Sequence, residues 1–428
     1  VGSPAAAAAL AFRQTVTKAA ATLPPFFIAI CGPKPQNALM NAHARFDNLP
    51  RFASPLKAIE GLKPTEPLYL VHPEKFAGVA KQFLDGFDGD VLYAAKANPH
   101  PVALKQLWAA GIRHFDTASL GEIQSVKDVL PEAICHFMAP VRLPGQAKAA
   151  FEQHGVTDFV VDSESELDKL LAETGKPASL RVFVRLVASL GGALLEMSSK
   201  YGCRPEEAAK LLGGVAQAGA QPCLTFHVGS QCLSPFSYAQ AIEIAQRTMV
   251  LSGIEIVALD IGGGFPTAYA GQEPPPYHWY FDMIKVAVDN LGKPGLKLMC
   301  EPGRALVAQG ISLVTQVVMR RGDRLYMNDG IYGSFDEQRF LSFDEDYPPS
   351  GITLDAKGKA KVLSGEKRPF RAYGPTCDSA DVLPRPVMLP DSIATGDYVL
   401  FDAMGAYTVS SRSAFNGYYP DGWATIGT

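Results

Sequence analysis

The residues in this chain best placed to do chemistry share one kind of position: each is polar and falls at or near the end of an apolar run. VLYAAKANPHP (91–101) stops at Lys96 and passes at once into turn residues. HFDTAS carries Asp116, DFVVDS carries Asp162, LRVFVRL carries Arg185, CLTFHVGS carries His227 and LKLMCEPG carries Glu301. IVALDIGGG closes on Gly262, Gly263 and Gly264, where the missing side chains let backbone N–H groups approach an anion. Taken singly, each has a plain explanation. A strand-end lysine usually reaches back to solvent, a lone histidine is usually a satisfied core residue, and three glycines make a tight turn. Their coincidence at one end of successive apolar runs points to a shared site.

The composition of that set narrows the reaction. There is no HExxH, no His/Cys group at zinc spacing and no GxSxG elbow, which disfavours metal-assisted hydrolysis and serine nucleophiles. GGGFPT (262–267) departs from the dinucleotide fingerprint at Thr267. A lysine amine in a low-dielectric site is expected to shed its proton more easily and become a nucleophile. Beside a phosphate-binding turn, such an amine suggests a Schiff base with pyridoxal phosphate. Glu301 then supplies the carboxylate that keeps the ring nitrogen protonated, so that the ring accepts an electron pair; an arginine there would suit a racemase instead.

These residues need a scaffold that gathers strand ends. From Leu92 to Gly303, eight apolar runs alternate with segments of helical period such as PVALKQLWAAG, LGEIQSVKDVL and PEEAAKLLGGVAQAG. Parallel strands require helix-sized crossovers, and eight such units close into a TIM barrel whose chemistry sits at the C-terminal strand ends. This is favoured over a doubly wound sheet. Ser163 and Glu166 have the spacing of a capping box. After Arg304 the pattern changes to strands and turns without intervening helices, which predicts an antiparallel β domain. The predicted boundaries are an N-terminal extension over 1–65 that partly joins the β domain, an α/β barrel over 66–305 and a β-sandwich or barrel over 306–428. PPFFIAIC (24–31) and PLYLV (67–71) are candidate extra strands of the β domain, and 335–368 reads as a surface excursion.

The 428 residues are 47% hydrophobic and 19% charged, with a net charge of −4, so no basic excess invites nucleic acid or an anionic membrane. Seven scattered cysteines without a CxxC pair fit a reduced, cytoplasmic setting rather than a disulfide scaffold. No apolar run reaches the roughly 20 residues of a membrane span. The Ala-rich start lacks the basic segment and cleavage pattern of a secretory signal.

YAAKAN, FDTAS, HVGS, DIGGGFP, CEPGR, NDGIYGSF, GPTCDSAD and MGAYTVSSRSAFNG occur in this order, and together they resemble the pyridoxal-phosphate-dependent fold-type III decarboxylases. These have the alanine-racemase-like fold, and the resemblance is strongest to eukaryotic-type ornithine decarboxylases. It covers roughly residues 67–428 and implies a cofactor-binding barrel plus a β domain. By this resemblance Lys96 is the cofactor-bearing lysine. Asp116 and Glu122 support it, Arg185 lies near the cofactor, and His227 stacks on the pyridine face. Ser230, Gly262, Gly263, Gly264, Arg304 and Tyr407 hold the phosphate, and Glu301 faces the ring nitrogen.

The family's head-to-tail homodimers share two active sites, which implies that Cys377, the proton donor to Cα, and Asp378, which receives the substrate's far amine, come from the partner chain. Lys200 and Asp381 match a subunit-bridging pair, and Tyr332, Phe340 and Phe415 line the substrate end. The implied activity is decarboxylation of a basic diamino acid, L-ornithine or L-lysine. Alternatives are diaminopimelate, carboxynorspermidine or a diamino-acid conjugate, or a non-catalytic decarboxylase-like binding protein similar to the antizyme inhibitors. One departure bears on substrate. The family's Tyr–Asp pair after YGSF falls here on Phe340 and Leu341, which leaves Asp336, Asp344 or Glu345 as substitutes and Arg339 as a residue that favours an acidic group. HVGSQ, with Gln231, is also similar to the diaminopimelate decarboxylases.

Overall fold

The computed structural model describes residues 46–175, 178–188, 193–195, 199–340 and 349–427. PPFFIAIC, Leu341, Asp344 and Glu345 lie outside the described residues.

The eight apolar runs form a closed parallel barrel: β1 Asp90–Ala94, β2 His114–Thr117, β3 Ile134–Phe137, β4 Asp158–Val161, β5 Arg181–Leu186, β6 Gln221–Phe226, β7 Ala258–Asp260 and β8 Lys297–Cys300. β8 pairs with β1 to close the ring. Side chains alternate across each strand. Leu92, Val160, Phe183, Cys223, Ala258 and Met299 point inward as a separate buried cluster, while Tyr93, Phe115, Phe159 and Leu224 join the outer core. The interior is thus packed, and the polar strand-end residues sit above it.

The opposite, N-terminal end of the barrel carries a ladder of its own. His136 lies 2.6 Å from Asp158 and 3.0 Å from His114, and Arg181 donates to both oxygens of Asp158. Burial raises the Asp158 pKa, but His136 and Arg181 outweigh it and hold the carboxyl at about 2. Removing one partner from such a buried pair typically costs about 3–5 kcal/mol. The ladder therefore locks β2, β3, β4 and β5 together from the face that does no chemistry.

The second sheet is built mainly of antiparallel pairs. Leu68–Val71, Lys367–Tyr373 and Tyr398–Phe401 belong to it, and Ile311–Arg321 is its long central strand. Parallel ladders also occur, between Leu68–Val71 and Gly422–Ile426, between Arg51–Phe52 and Gly422–Ile426, and between Arg324–Met327 and Lys367–Tyr373. Leu68–Val71 is buried on both faces and pairs here, so the stretch from residue 66 opens in this sheet and the barrel's first strand starts at Asp90.

Two further expectations are corrected. Ser163 caps its helix by position only: its Oγ lies 3.3 Å from Ser165 Oγ, and Glu166 turns to Lys169 and Arg142. A working capping arrangement stands at Ser119, whose Oγ accepts from Glu122 N at 3.1 Å while Glu122 accepts from Ala118 N at 2.8 Å. The 335–368 stretch is also more than surface. Asp336 and Phe340 line the cavity that also holds Lys96, and Ser350–Leu354 and Ala360–Val362 are strands of the second sheet.

Among the described residues, no helix is long and apolar enough to cross a membrane.

Candidate functional site

Lys96 sits in a single 3₁₀ turn, Ala95–Ala97, directly after β1. Pro99 and Pro101 follow, and Pro101 opens the next helix at a position where its missing N–H is no loss. The turn is pinned from the second sheet: Tyr407 N donates to Ala97 O at 2.8 Å, and the buried Asn98 donates to Gly405 O at 2.8 Å. Lys96 Nζ projects into a cavity of about 270 Å³ and donates to Asp116 Oδ2 at 3.2 Å. Burial disfavours the ammonium, but Asp116 and Glu301 outweigh it and hold the amine above the ordinary lysine range. This reverses the expectation of an easily deprotonated amine. The physical reason is the pair of carboxyl groups that the fold brings to Lys96, which burial alone did not foretell. Glu122 lies close enough to feel both Lys96 and Asp116, and burial first of all raises its carboxyl pKa.

On one side of the cavity, Glu301 follows β8 and Asp260 ends β7, in adjacent strands. Asp260 is fully buried and accepts from Thr225 Oγ1 at 2.7 Å and Gly262 N at 3.0 Å. Burial pushes Asp260 up to about 6, and burial together with Asp116 and Asp260 pushes Glu301 well above the usual carboxylate range. Two buried acids side by side hold a proton between them rather than two charges. His227, just past β6, accepts from Gly229 N at its Nδ1 (2.9 Å), which leaves Nε2 as the protonated nitrogen of a neutral ring. Burial, then Arg185 and Lys96, keep its pKa far below the usual value. Arg185 itself lies over the Tyr201 ring at 5.7 Å.

On another side is an anion seat. A Cβ on Gly263 would stand 2.7 Å from Glu301 O and 3.0 Å from His227 Nε2; one on Gly264, at φ +103°, would stand 2.4 Å from Gly229 O. Only glycine permits this close turn. Ser230, Gly264, Arg304 and Tyr407 line the same cavity. Arg304 is 4% exposed, with Tyr407 under its guanidinium at 5.0 Å, and its buried Nε has no hydrogen-bond partner. Tyr407 has φ +55°, a left-handed conformation that bulky residues rarely adopt. A buried, arginine-lined, glycine-floored seat beside an amine fits a phosphate-bearing carbonyl cofactor.

The other predicted residues divide between two places. Phe340 lines the Lys96 cavity, as does Asp336, which is paired with Arg339 at 3.0 Å. Tyr332, Cys377, Asp378 and Phe415 instead form a separate cluster. The Tyr332 hydroxyl donates to Asp378, its ring lies 4.7 Å from Phe415, and Cys377 N donates to Asn416 Oδ1 at 3.0 Å. The Ala380 N–H and the Tyr332 hydroxyl hold the Asp378 carboxyl below its usual range. Cys377 is exposed. Asp381 is buried and accepts from Ile331 N and from Thr376, while Lys200 is exposed near Tyr201. Sequence reasoning passed over Asp260, although it stands directly before the glycine run, and Glu337, whose place in the site nothing in the chain's local pattern signals.

The sequence matches the family model described as "Pyridoxal-dependent decarboxylase, pyridoxal binding domain" over residues 73–308. It is 35% identical over 339 residues to a lysine/ornithine decarboxylase of Selenomonas ruminantium, covering 77% of this chain and 81% of the relative. It is 32% identical to an ornithine decarboxylase of Panagrellus redivivus, covering 76% and 77%. The fold matches a lysine/ornithine decarboxylase of Vibrio vulnificus crystallised with cadaverine, with a TM-score of 0.74, 29% identity, and coverage of 88% of this chain and 100% of that one.

Proposed function

This chain belongs to the pyridoxal-dependent decarboxylases, and from that premise we propose that it removes the α-carboxyl group of L-ornithine or L-lysine in the cavity around Lys96. The observation that carries this reading is one cavity that holds an amine, a buried carboxyl group, an arginine-lined anion seat and the additional acid Asp336. When bound, pyridoxal phosphate supplies the electron sink for the pair left as carbon dioxide departs. The protein's part is to hold, orient and move protons. Lys96 carries the cofactor, oriented by Asp116. Glu301, backed by Asp260, would meet the ring nitrogen, and the neutral His227 would pack against the ring. Arg185 and Glu122 shape the charge around Lys96. Ser230, Arg304, Tyr407 and the backbone of Gly262, Gly263 and Gly264 hold the phosphate. Lys96 Nζ releases the product amine.

In the same reading the active unit is a head-to-tail homodimer. Cys377 of one protomer protonates Cα in its partner's site, and Asp378, with Tyr332 and Phe415, receives the far ammonium; Lys200 and Asp381 bridge the subunits. That neither Cys377 nor Asp378 lines the Lys96 cavity supports this. Mixing Lys96→Ala chains with Cys377→Ala chains then restores activity above either parent, to roughly a quarter of wild type for random pairing in a twofold dimer. A mixture no more active than its parents removes the shared site.

Asp336 supports a basic far end, in place of the family's second acid. Arg339, paired to it at 3.0 Å, favours the competing reading of an acidic far end, as in diaminopimelate. A carbon dioxide release screen across ornithine, lysine, arginine, diaminopimelate and carboxynorspermidine separates the two. Turnover of ornithine or lysine is expected, and turnover confined to diaminopimelate overturns the assignment.

A further inference from the structure

Arg304 is engaged by an anion from its own chain. Glu337 takes the guanidinium with both oxygens: Oε2 accepts from Nη1 at 3.0 Å, and Oε1 accepts from Nη2. Nη1 also donates to the Tyr269 hydroxyl at 2.7 Å, and Nη2 lies 3.4 Å from Ser230 Oγ. The pair is almost fully enclosed, with side-chain exposures of 3% and 11%. It stands in the cavity that also holds Lys96, Gly264 and Tyr407.

Arginine recognises carboxylate and phosphate through the same two-pronged donor geometry. A phosphate dianion and a carboxylate held on one buried guanidinium repel each other strongly, because little water screens them. Glu337 belongs to the short Asp336–Arg339 turn, and the flanking Asp336 and Phe340 face the cavity.

We propose that Glu337 is an internal competitor for the cofactor phosphate on Arg304, so that it sets how tightly this chain holds its cofactor. This positioning role rests on the assignment of Arg304 to the phosphate. Pyridoxal, which has the ring and aldehyde but no phosphate, is the control ligand.

The test is equilibrium titration of the cofactor-stripped protein with pyridoxal phosphate, pyridoxal and inorganic phosphate, read by absorbance and intrinsic fluorescence. Glu337→Gln keeps the shape and removes the charge; Glu337→Ala removes both. Each is expected to bind pyridoxal phosphate and inorganic phosphate roughly tenfold more tightly, equivalent to about 1.4 kcal/mol, with pyridoxal unchanged. Weaker or unchanged pyridoxal phosphate binding in Glu337→Gln overturns the proposal, as does an equal gain for pyridoxal. Should Glu337→Ala not fold, Glu337→Gln alone decides. A wild-type chain that forms no visible band with pyridoxal phosphate refutes the functional reading instead, and inorganic phosphate still tests Glu337.

Discussion

Replacing Lys96 by alanine abolishes the visible absorption band of lysine-bound pyridoxal phosphate and lowers decarboxylation by at least about 10³-fold. The size follows from the two tasks assigned to one nitrogen, covalent attachment of the cofactor and release of the product amine, both of which are lost together. The change leaves Asp116 buried at 2% exposure without its cation. The turn itself survives, because Tyr407 N and the Asn98 side chain hold it through bonds that do not involve the amine. A circular dichroism melt therefore accompanies the spectrum. A folded Lys96→Ala protein that keeps the band places the cofactor linkage elsewhere.

Glu301→Gln is expected to lower kcat on the order of 10²-fold while pyridoxal phosphate stays bound. Glutamine fills the same space beside Asp260 but cannot exchange a proton with it. Burial is the main cause that raises both carboxyl pKa values, and a positively charged ring nitrogen beside Glu301 would favour its ionised form, a charge that the neutral amide cannot offer. An effect on kcat with little effect on cofactor binding separates loss of transition-state stabilisation from loss of fit. A kcat within about threefold of wild type removes Glu301 from its assigned role.

The barrel was legible because its strands are short apolar runs that stop at turn residues, and the period-two alternation of Val91, Leu92 and Tyr93 survives in the packing. Strand-end chemistry was legible for the same reason: Lys96, His227 and Glu301 interrupt runs that apolar residues would otherwise continue. Leu68–Val71 was legible as an extra strand of the β domain, but a four-residue run buried on both faces has no alternation to say which strands it pairs with. The charge on Lys96 resisted because it depends on Asp116 and Glu301, brought near only by β2 and β8. The Arg304–Glu337 pair joins residues 33 positions apart through a turn whose composition reads as surface. The Ser163 capping box failed because neighbouring partners, Ser165 for the hydroxyl and Lys169 for Glu166, outcompete the helix end.

The parallel ladder between Leu68–Val71 and Gly422–Ile426 has a consequence for how the chain is made. The first strand leaves the ribosome roughly 350 residues before its partner, a delay of about 20–70 s at ordinary elongation rates. The barrel can close in that interval, but the second sheet, and with it the Tyr407 loop that braces the Lys96 turn, waits for the late segments. Until then an apolar strand edge stands open to other nascent chains. Slow translation or loss of the last strand therefore yields aggregate in preference to a weakened enzyme, and expression at low chain density is the practical remedy.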